Sequence, residues 1–166
     1  MNFGLSEKTV LLTGATSGLG RAIAIQLAEL GANITLVDKN EDRVQRLATE
    51  IMDQREVREE YGRAAAIVSD ITKPHHVKEA VRKSAEVFGG IDIYIDALIA
   101  ANECSIENEN LEDLDRMIDV NLKAPFLITN EVVKFLKERR RSRILYIIPD
   151  YAAWGGEGES IVAATR

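Results

Sequence analysis

The stretch TGATSGLG, Thr13–Gly20, stands between a short apolar run and a helical pattern, and the fold can be inferred outward from it. The preceding run TVLL, Thr9–Leu12, is predicted to be a β-strand, and the apolar residues at 23, 27 and 30 recur at a helical spacing. Glycines at 14, 18 and 20 allow a sharp turn and a close approach to a ligand. The free N–H groups and the dipole of the helix start then attract a diphosphate.

The spacing of these glycines, Gly-x-x-x-Gly-x-Gly, differs from the general dinucleotide fingerprint Gly-x-Gly-x-x-Gly. A tight turn without a ligand is therefore an alternative. Asp38 favours the ligand site, because it ends the next apolar run 18 residues after Gly20. A carboxylate about 20 residues beyond the glycines accepts hydrogen bonds from ribose hydroxyls and repels a 2′-phosphate. Lys39 beside it weakens that preference for NAD over NADP.

Apolar runs alternate with helical patterns along the chain. The predicted strands are Thr9–Leu12, Asn33–Asp38, Ala64–Asp70, Ile91–Ala100 and Arg143–Ile148. Asn40 and Thr72 are expected to cap helices, and a longer helix is expected from Leu111 to about Arg140 with a kink at Pro125. This alternation predicts an α/β fold, a Rossmann-like doubly wound parallel sheet of five strands with helices on both faces.

The composition is that of a globular protein, and residues 1–166 are expected to form one domain. The net charge of −6 argues against a protein that binds nucleic acid or a membrane surface. No apolar run approaches the roughly 20 residues of a membrane span. Cys104 is the single cysteine, so no intrachain disulfide can form, and the expected location is cytoplasmic. We predict no metal site, since His75 and His76 are expected to be solvated in the first turn of a helix.

These motifs together resemble the short-chain dehydrogenase/reductase family over essentially the whole chain. TGATSGLG matches the family's cofactor motif, Asp38 the position that favours NAD, and Asp70-Ile71 the pair that contacts adenine. DVNL, Asp119–Leu122, matches the helix segment of the family's catalytic asparagine, which falls on Asn121. The resemblance implies the strand order 3-2-1-4-5 and a dinucleotide ligand, NAD with NADP less favoured. The implied cofactor-binding residues are Gly14, Thr16, Ser17, Gly18, Leu19, Gly20, Asp38, Lys39, Asp70 and Ile71.

The chain departs from the family's pattern after the fourth predicted strand. The family has Asn-Asn-Ala-Gly there, whereas the aligned residues are Asp96, Ala97, Leu98 and Ile99. Isoleucine has a larger side chain than glycine and tolerates a positive φ poorly. We therefore expect the nicotinamide to fit less well and the dinucleotide to bind weakly.

The catalytic positions depart further. The resemblance implies a serine that steadies the carbonyl, a tyrosine that acts as general acid/base, and a lysine that holds the ribose and lowers the tyrosine's pKa. The aligned residues are Pro149, Val162 and Arg166. Proline and valine have no titratable group, and arginine releases no proton near pH 7. No tyrosine of the chain is followed four residues later by lysine. Asn121 is the one matched catalytic position, with a purely structural role for its amide as the alternative.

Three functions remain open from the sequence. The first is an NAD(H)-binding domain of this family that is catalytically impaired, shortened at its C-terminus and without the family's C-terminal strands and substrate-binding part. The second is an active NAD(P)-dependent oxidoreductase with substituted catalytic residues, Tyr151 or Asp150. The third is a non-enzymatic scaffold or subunit that uses the fold for association. The sequence names no substrate.

Association is expected from two apolar surfaces. RILYII, Arg143–Ile148, is predicted to be an edge strand with open hydrogen-bonding groups and apolar side chains on both faces. Leu114, Ile118 and Phe126 form a second apolar stripe on the long helix, in the region where the family makes its subunit interface. Trp154 follows in a segment expected to be exposed. We therefore expect a homo-oligomer.

Overall fold

The computed structural model describes residues 3–166. The strands are β1 (Thr9–Thr13), β2 (Asn33–Asp38), β3 (Ala64–Val68), β4 (Ile93–Asp96) and β5 (Arg143–Tyr146). The helices are α1 (Gly18–Glu29), α2 (Glu41–Val57), α3 (Pro74–Phe88), α4 (Leu111–Met117), α5 (Ala124–Leu136), α6 (Tyr151–Trp154) and α7 (Ser160–Thr165). A 3-10 turn, Ile106–Asn108, precedes α4, and a π-helical segment, Ile118–Lys123, joins α4 to α5.

The five strands form one parallel sheet in the order β3-β2-β1-β4-β5, which confirms the predicted fold. In the centre, Val10 of β1 pairs with Ile34 of β2 on one side and with Ile93 of β4 on the other. The chain builds outward from β1 to β3 and then returns to the other side of β1. This reversal leaves a crevice at the carboxyl ends of β1 and β4, where ligands bind in open α/β sheets.

Helices cover both faces of the sheet, and alternate side chains of β1 belong to different cores. Val10 and Leu12 pack in a buried cluster with residues of α1 and α2. Leu11 faces the opposite way, into a buried cluster with residues of α3 and α5. Burial on both faces explains why the strands appear in the sequence as nearly continuous apolar runs.

Two predicted helix caps had different outcomes. Asn40 caps α2 as predicted, because its Oδ1 accepts the N–H of Arg43 at 3.0 Å. The predicted cap of α3 at Thr72 is wrong, and Lys73 occupies that position without a side-chain cap. The Thr72 hydroxyl donates instead to Asp70 Oδ1 at 2.7 Å. Its side chain is thereby turned toward the end of β3 rather than toward the helix.

Three strands are shorter than predicted. β3 ends at residue 68, β4 spans 93–96 and β5 ends at residue 146. The register explains the length of β4, whose four residues pair with 10–13 of β1 and with 143–146 of β5. Residues 97–100 and the segment after residue 146 are therefore not part of the sheet. They lie at its carboxyl edge, beside the crevice.

The long helix predicted from Leu111 to about Arg140 is divided into α4, the π-helical segment and α5. Pro125 lies in the first turn of α5, directly after the π-helical segment. The irregularity precedes it, in the π-helical segment, and a π-bulge is itself a recognised cause of helix distortion. The helix is thus irregular immediately before the predicted kink at Pro125, in a segment that contains Asn121.

The structure exposes part of the apolar surface expected for association. Within residues 3–166, β5 pairs only with β4, and its Leu145 and Tyr146 are exposed. Trp154 is 88% exposed and Phe126 of α5 is 70% exposed. Leu114 is partly buried against a small cluster formed by α4 and α7, so it does not contribute to an open stripe. None of the helices in this part of the chain is long and apolar enough to cross a membrane.

Candidate functional site

The glycine-rich turn between β1 and α1 needs glycine at two positions. Gly14 has φ +67°, and a Cβ built on it would lie 2.6 Å from the backbone nitrogen of Leu98. A Cβ on Gly20 would overlap the carbonyl oxygen of Gly14. Gly18 differs, because a Cβ there would meet no atom within 4 Å. The turn is therefore folded tightly against the loop after β4 at Gly14 and against itself at Gly20.

The start of α1 presents backbone donors to the crevice. Ser17 caps the helix, since its Oγ accepts the N–H of Gly20 at 3.0 Å and donates to the carbonyl of Gly14 at 2.9 Å. Gly18 and Leu19 are the first two residues of α1, whose N–H groups have no acceptor within a helix. These donors, together with the positive end of the helix dipole, suit a phosphate or diphosphate.

Asp38 lies beside this turn at the end of β2, as the sequence predicted. Its Oδ2 accepts the Thr16 hydroxyl at 2.8 Å and the Thr16 N–H at 3.2 Å, and its Oδ1 accepts the Asn40 N–H at 3.0 Å. The carboxylate thus accepts three hydrogen bonds from the segments on either side of it. Lys39 is exposed next to it. The structure thus connects the glycine-rich turn to the predicted ribose-binding carboxylate.

Asp70 and Ile71 form the side of the crevice that follows β3. The Asp70 carboxylate accepts the hydroxyl and the N–H of Thr72, at 2.7 and 3.1 Å. Partial burial acts to raise the pKa of Asp70, but the Thr72 bonds and the nearby Lys73 and Lys39 hold that pKa below its ordinary value. Asp70 is therefore an acceptor at neutral pH. Ile71 is buried and packs into the core beneath.

These predicted residues surround one cleft of about 220 Å³. Its lining includes Gly14, Asp38, Lys39, Asp70 and Ile71, together with residues 98–100 of the loop after β4. Thr16, Ser17, Gly18, Leu19 and Gly20 belong to the adjoining turn and helix start. The donor set of the turn suits the diphosphate of a dinucleotide.

Arg116 also lines this cleft, and the sequence analysis did not identify it. It lies on α4, where its guanidinium donates to Asp113 Oδ1 at 2.7 Å through Nη2. In the sequence it is one cation within a charged helical pattern, with nothing to distinguish it from a solvated residue. Only the packing of α4 beside the loop after β4 reveals its position.

The loop after β4 contains the departures from the family's pattern. Leu98 and Ile99 line the cleft, whereas Asp96 and Ala97 are buried beneath it. The strain expected at Ile99 is absent, because within residues 3–166 the only residue other than glycine with a positive φ is Glu7. The substitution therefore changes the shape of the cleft wall without straining the backbone.

Asp96 is part of a buried polar group at the end of β4. Its Oδ1 accepts the Thr13 hydroxyl at 2.7 Å, and its Oδ2 accepts Nη1 of Arg166 at 2.9 Å. The side chains of Asp96 and Arg166 are only 1% and 3% exposed. Nη2 of the same arginine donates to the carbonyl of Ile147, beyond β5, at 2.8 Å. One guanidinium thus joins the carboxyl ends of β4 and β5.

The positions aligned with the catalytic serine, tyrosine and lysine offer no acid/base group. Val162 is completely buried in the small cluster between α4 and α7. Pro149 precedes α6 and has neither a hydroxyl nor an N–H. Arg166 is held in the ion pair with Asp96. The structure therefore brings these three positions to the same end of the sheet but supplies no proton donor from them.

Asn121 has its amide fully occupied by neighbouring groups. Its Oδ1 accepts the Ala100 N–H at 2.8 Å, and its Nδ2 donates to the Ala100 carbonyl at 2.9 Å and to the Thr165 hydroxyl at 3.1 Å. These bonds connect the π-helical segment to the loop after β4 and to α7. These contacts are consistent with a structural role for the Asn121 amide, which the sequence analysis gave as the alternative to a catalytic role.

Tyr151 and Asp150, the candidate substitutes, lie at the start of α6. Burial, followed by the charges of Glu159, Asp150 and Glu103, raises the pKa of Tyr151 above its ordinary value. A general acid/base works best with a pKa near the operating pH, so this shift is in the unfavourable direction. Asp150 is exposed, and its side chain accepts the backbone N–H of Tyr151 at 2.9 Å.

Comparison with known proteins gives consistent matches. A family model described as short chain dehydrogenase matches residues 8–165. The chain is 30% identical over 162 residues to an uncharacterized oxidoreductase of Staphylococcus aureus (strain MRSA252), covering 98% of this chain and 67% of that protein.

Solved structures give the same result. A short chain dehydrogenase from Burkholderia cenocepacia J2315 in complex with NADP has a TM-score of 0.87 and 29% identity, with 97% of this chain and 63% of that chain covered. The NADH-dependent reductase A1-R′ complexed with NAD has a TM-score of 0.84 and 28% identity, with 99% and 69% covered. The chain thus spans about two thirds of the length of these proteins.

Proposed function

The chain belongs to the short-chain dehydrogenase family, and from that premise we propose that it binds a nicotinamide dinucleotide, NAD in preference to NADP, with impaired hydride transfer. The observation that carries the proposal is the connected set of donors and acceptors at the crevice. The glycine-rich turn offers N–H groups for a diphosphate, and Asp38 is bonded to Thr16 of that turn. Similar solved structures hold NAD or NADP.

The preference for NAD rests on the charge at the ribose position. The Asp38 carboxylate accepts hydrogen bonds and repels a 2′-phosphate. Lys39 is adjacent but exposed, and it makes the preference moderate rather than absolute. Calorimetric titration with NADH and with NADPH tests this part. Heat from NADH at lower concentration than from NADPH is expected, and no heat from either at millimolar concentration rejects the proposal.

We infer the impaired hydride transfer from the residues that occupy the three catalytic positions. Val162 is buried, Pro149 has no donor, and Arg166 is paired with Asp96. The alternative function, an active oxidoreductase that uses Tyr151, is disfavoured by the raised pKa of that tyrosine. The test is turnover of NAD(H) and NADP(H) with a panel of carbonyls and alcohols. We expect no measurable reduction, and appreciable turnover by the unmodified chain would establish the alternative.

We propose further that the chain associates with a second copy of itself through the exposed face of α5. Leu122 of the π-helical segment and Phe126 of α5 are exposed and border an apolar surface with Pro74 and Leu127. Their exposure is the observation that favours association over a monomer. A scaffold function without any dinucleotide is the third alternative, and the calorimetric titration distinguishes it from a dinucleotide-binding function.

Cys104 is a free thiol, which fits the cytoplasmic location that we propose.

A further inference from the structure

Arg116 belongs to one of the two walls of the cleft at the carboxyl edge of the sheet. One wall is formed at the ends of β2 and β3 and includes Asp38 and Ile71. The other is formed by residues 98–100 after β4, with Val120 and Arg116 from the helical segment that follows. Because β1 lies between β2 and β4 in the sheet, a ligand in the cleft lies between these two walls.

Arg116 lies toward the opening of the cleft, whereas Gly14 and Leu98 meet at its base. A Cβ on Gly14 would lie 2.6 Å from the backbone nitrogen of Leu98. The crossover from β4 to the parallel strand β5 returns through α4 and α5, so the start of α4 lies farthest beyond the carboxyl edge. Arg116 precedes Val120 by four residues, so the two share a face and Arg116 is the more distant from the sheet. Its side chain is 46% exposed.

Asp113 holds the guanidinium of Arg116 from the preceding turn of α4. Its Oδ1 accepts Nη2 of Arg116 at 2.7 Å and Nε at 3.3 Å. Its Oδ2 accepts Nδ2 of Asn110 at 2.8 Å and Nδ2 of Asn102 at 3.2 Å. The bond from Arg116 is the largest cause that holds the pKa of Asp113 below its ordinary value. An ionised carboxylate that is itself bonded to the loop before α4 therefore orients one edge of the guanidinium.

The rest of this guanidinium is available to a ligand. Within residues 3–166, Nη1 of Arg116 donates to no protein group, while Nε and Nη2 bond to Asp113. No aromatic ring in this part of the chain lies against it, whereas Arg58 and Arg63 each lie over a ring of the protein. A guanidinium held along one edge presents a planar face, and purine bases stack on such faces.

We propose that Arg116 covers the adenine of the bound dinucleotide, with its guanidinium stacked on the purine ring at the opening of the cleft. The inference rests on the proposed function, since it needs a dinucleotide in this cleft. It goes beyond that function in identifying a residue that sets the affinity for adenine and that lies outside the glycine-rich motif. Asp113 is then a positioning residue that acts through Arg116. The alternative, a contact with the diphosphate, requires the guanidinium to lie at the start of α1 rather than at the opening.

The first measurement follows the Nε–H proton of Arg116 in the ¹⁵N-labelled full chain during titration with NADH and with ADP. Arg116→Lys lacks this signal and thereby identifies it. A proton over the face of a purine is shifted upfield by the ring current, whereas a hydrogen bond to a phosphate oxygen shifts the donor proton downfield. We expect an upfield shift with both ligands, because both carry adenine. The signal of Arg82, which pairs with Glu86 on exposed α3, should not move.

The second measurement compares dissociation constants. Arg116→Ala should weaken the binding of NADH and of ADP by the same factor, about two- to fivefold, as expected for a partly exposed contact between a cation and an aromatic face. Arg82→Ala is the matched control, because it also removes an exposed arginine that pairs with a carboxylate of its own helix. It should change neither dissociation constant.

The inference requires both results. Absence of the upfield shift would overturn it, and a downfield shift would mean a phosphate contact instead. Dissociation constants of Arg116→Ala that equal those of the unmodified chain would also overturn it. Each of these outcomes leaves the proposed function standing, because the unmodified chain still binds NADH. Failure of both ligands to bind the unmodified chain at millimolar concentration would reject the proposed function and the inference together.

Discussion

At the scale of single residues, ligand binding depends on which charged groups face the cleft and which are already paired within the protein. Asp38 is half-buried and already accepts Thr16 and Asn40, yet it faces the cleft and retains acceptor capacity. Asp96 is equally acidic but buried, with Arg166 as its partner. Two carboxylates at the carboxyl ends of strands of one sheet therefore have different surroundings. Asp38 lines the cleft, and Asp96 is paired with a buried guanidinium.

Asp38→Ala tests the ligand-facing carboxylate. Removing the charge abolishes the repulsion of a 2′-phosphate, so we expect the preference for NADH over NADPH to fall. The ratio of the two dissociation constants, measured by calorimetry, is the quantity to compare with that of Asp42→Ala on exposed α2. A ratio unchanged in Asp38→Ala would remove Asp38 from the ribose position.

Asp96→Ala tests the buried ion pair between Asp96 and Arg166. Removing one partner of a buried pair leaves the other charge uncompensated, and we expect a loss of about 3–5 kcal/mol in the free energy of unfolding. Urea denaturation measures it. Asp119→Ala is the matched control, because its pair with Lys123 is exposed, and it should leave the unfolding free energy unchanged within error. A loss below about 1 kcal/mol in Asp96→Ala would contradict a structural function for the pair.

At the scale of elements, the glycine-rich turn places α1 and the loop after β4 against each other. Gly14→Ala adds a Cβ where φ is +67° and the backbone of Leu98 is 2.6 Å away. We expect a cost of at least about 1–3 kcal/mol from backbone strain, with a further cost from the overlap, and a loss of NADH affinity. Gly18→Ala is the matched control for stability, because no atom lies within 4 Å of its Cβ and helix propensity favours alanine.

Urea unfolding of both glycine variants gives the comparison of stability, and NADH titration of Gly14→Ala measures the loss of affinity. Equal stability of Gly14→Ala and the unmodified chain would show that the turn does not need its left-handed glycine. A Gly18→Ala variant as damaged as Gly14→Ala would show that the two positions do not differ in the way that the geometry indicates.

The elements themselves were largely predictable from the sequence, because strands buried on both faces appear as apolar runs. Their ends were not, since the length of β4 is set by its pairing with β1 and β5. The cap of α3 was predicted at Thr72 because that residue type caps helices, but Asp70 competes for its hydroxyl. Local patterns therefore give the elements, and tertiary contacts decide their ends.

Part of the candidate site was likewise predictable from the sequence, and part was not. The cleft residues near Asp38 and Asp70 follow motifs at fixed spacing, and they were identified from the sequence. The pair of Asp96 and Arg166 joins residues 70 positions apart, and no local pattern indicates it. Sequence alignment identified both positions as departures from the family. Only the three-dimensional structure shows that the two departures contact each other.

At the scale of the whole molecule, the exposed apolar side chains of α5 favour association. Phe126 is 70% exposed, so Phe126→Asp should leave folding intact and prevent contact between copies. Light scattering at micromolar concentration should give a mass above 18.4 kDa for the unmodified chain and a monomer for this variant. Val57→Asp is the matched control, because Val57 is 81% exposed on α2, on the opposite face of the sheet. An unmodified chain that stays monomeric would contradict the proposed association.

The central claim is that a dinucleotide binds with its diphosphate at the start of α1 and its adenosine between Asp38 and Ile71. The most direct test is a titration of the ¹⁵N-labelled chain with NADH, followed by the chemical shifts of assigned backbone amides. We predict saturable shifts concentrated at Gly18, Leu19 and Ile71. No shift at millimolar NADH, or shifts concentrated at the basic run Arg139–Arg143 instead, would contradict the account.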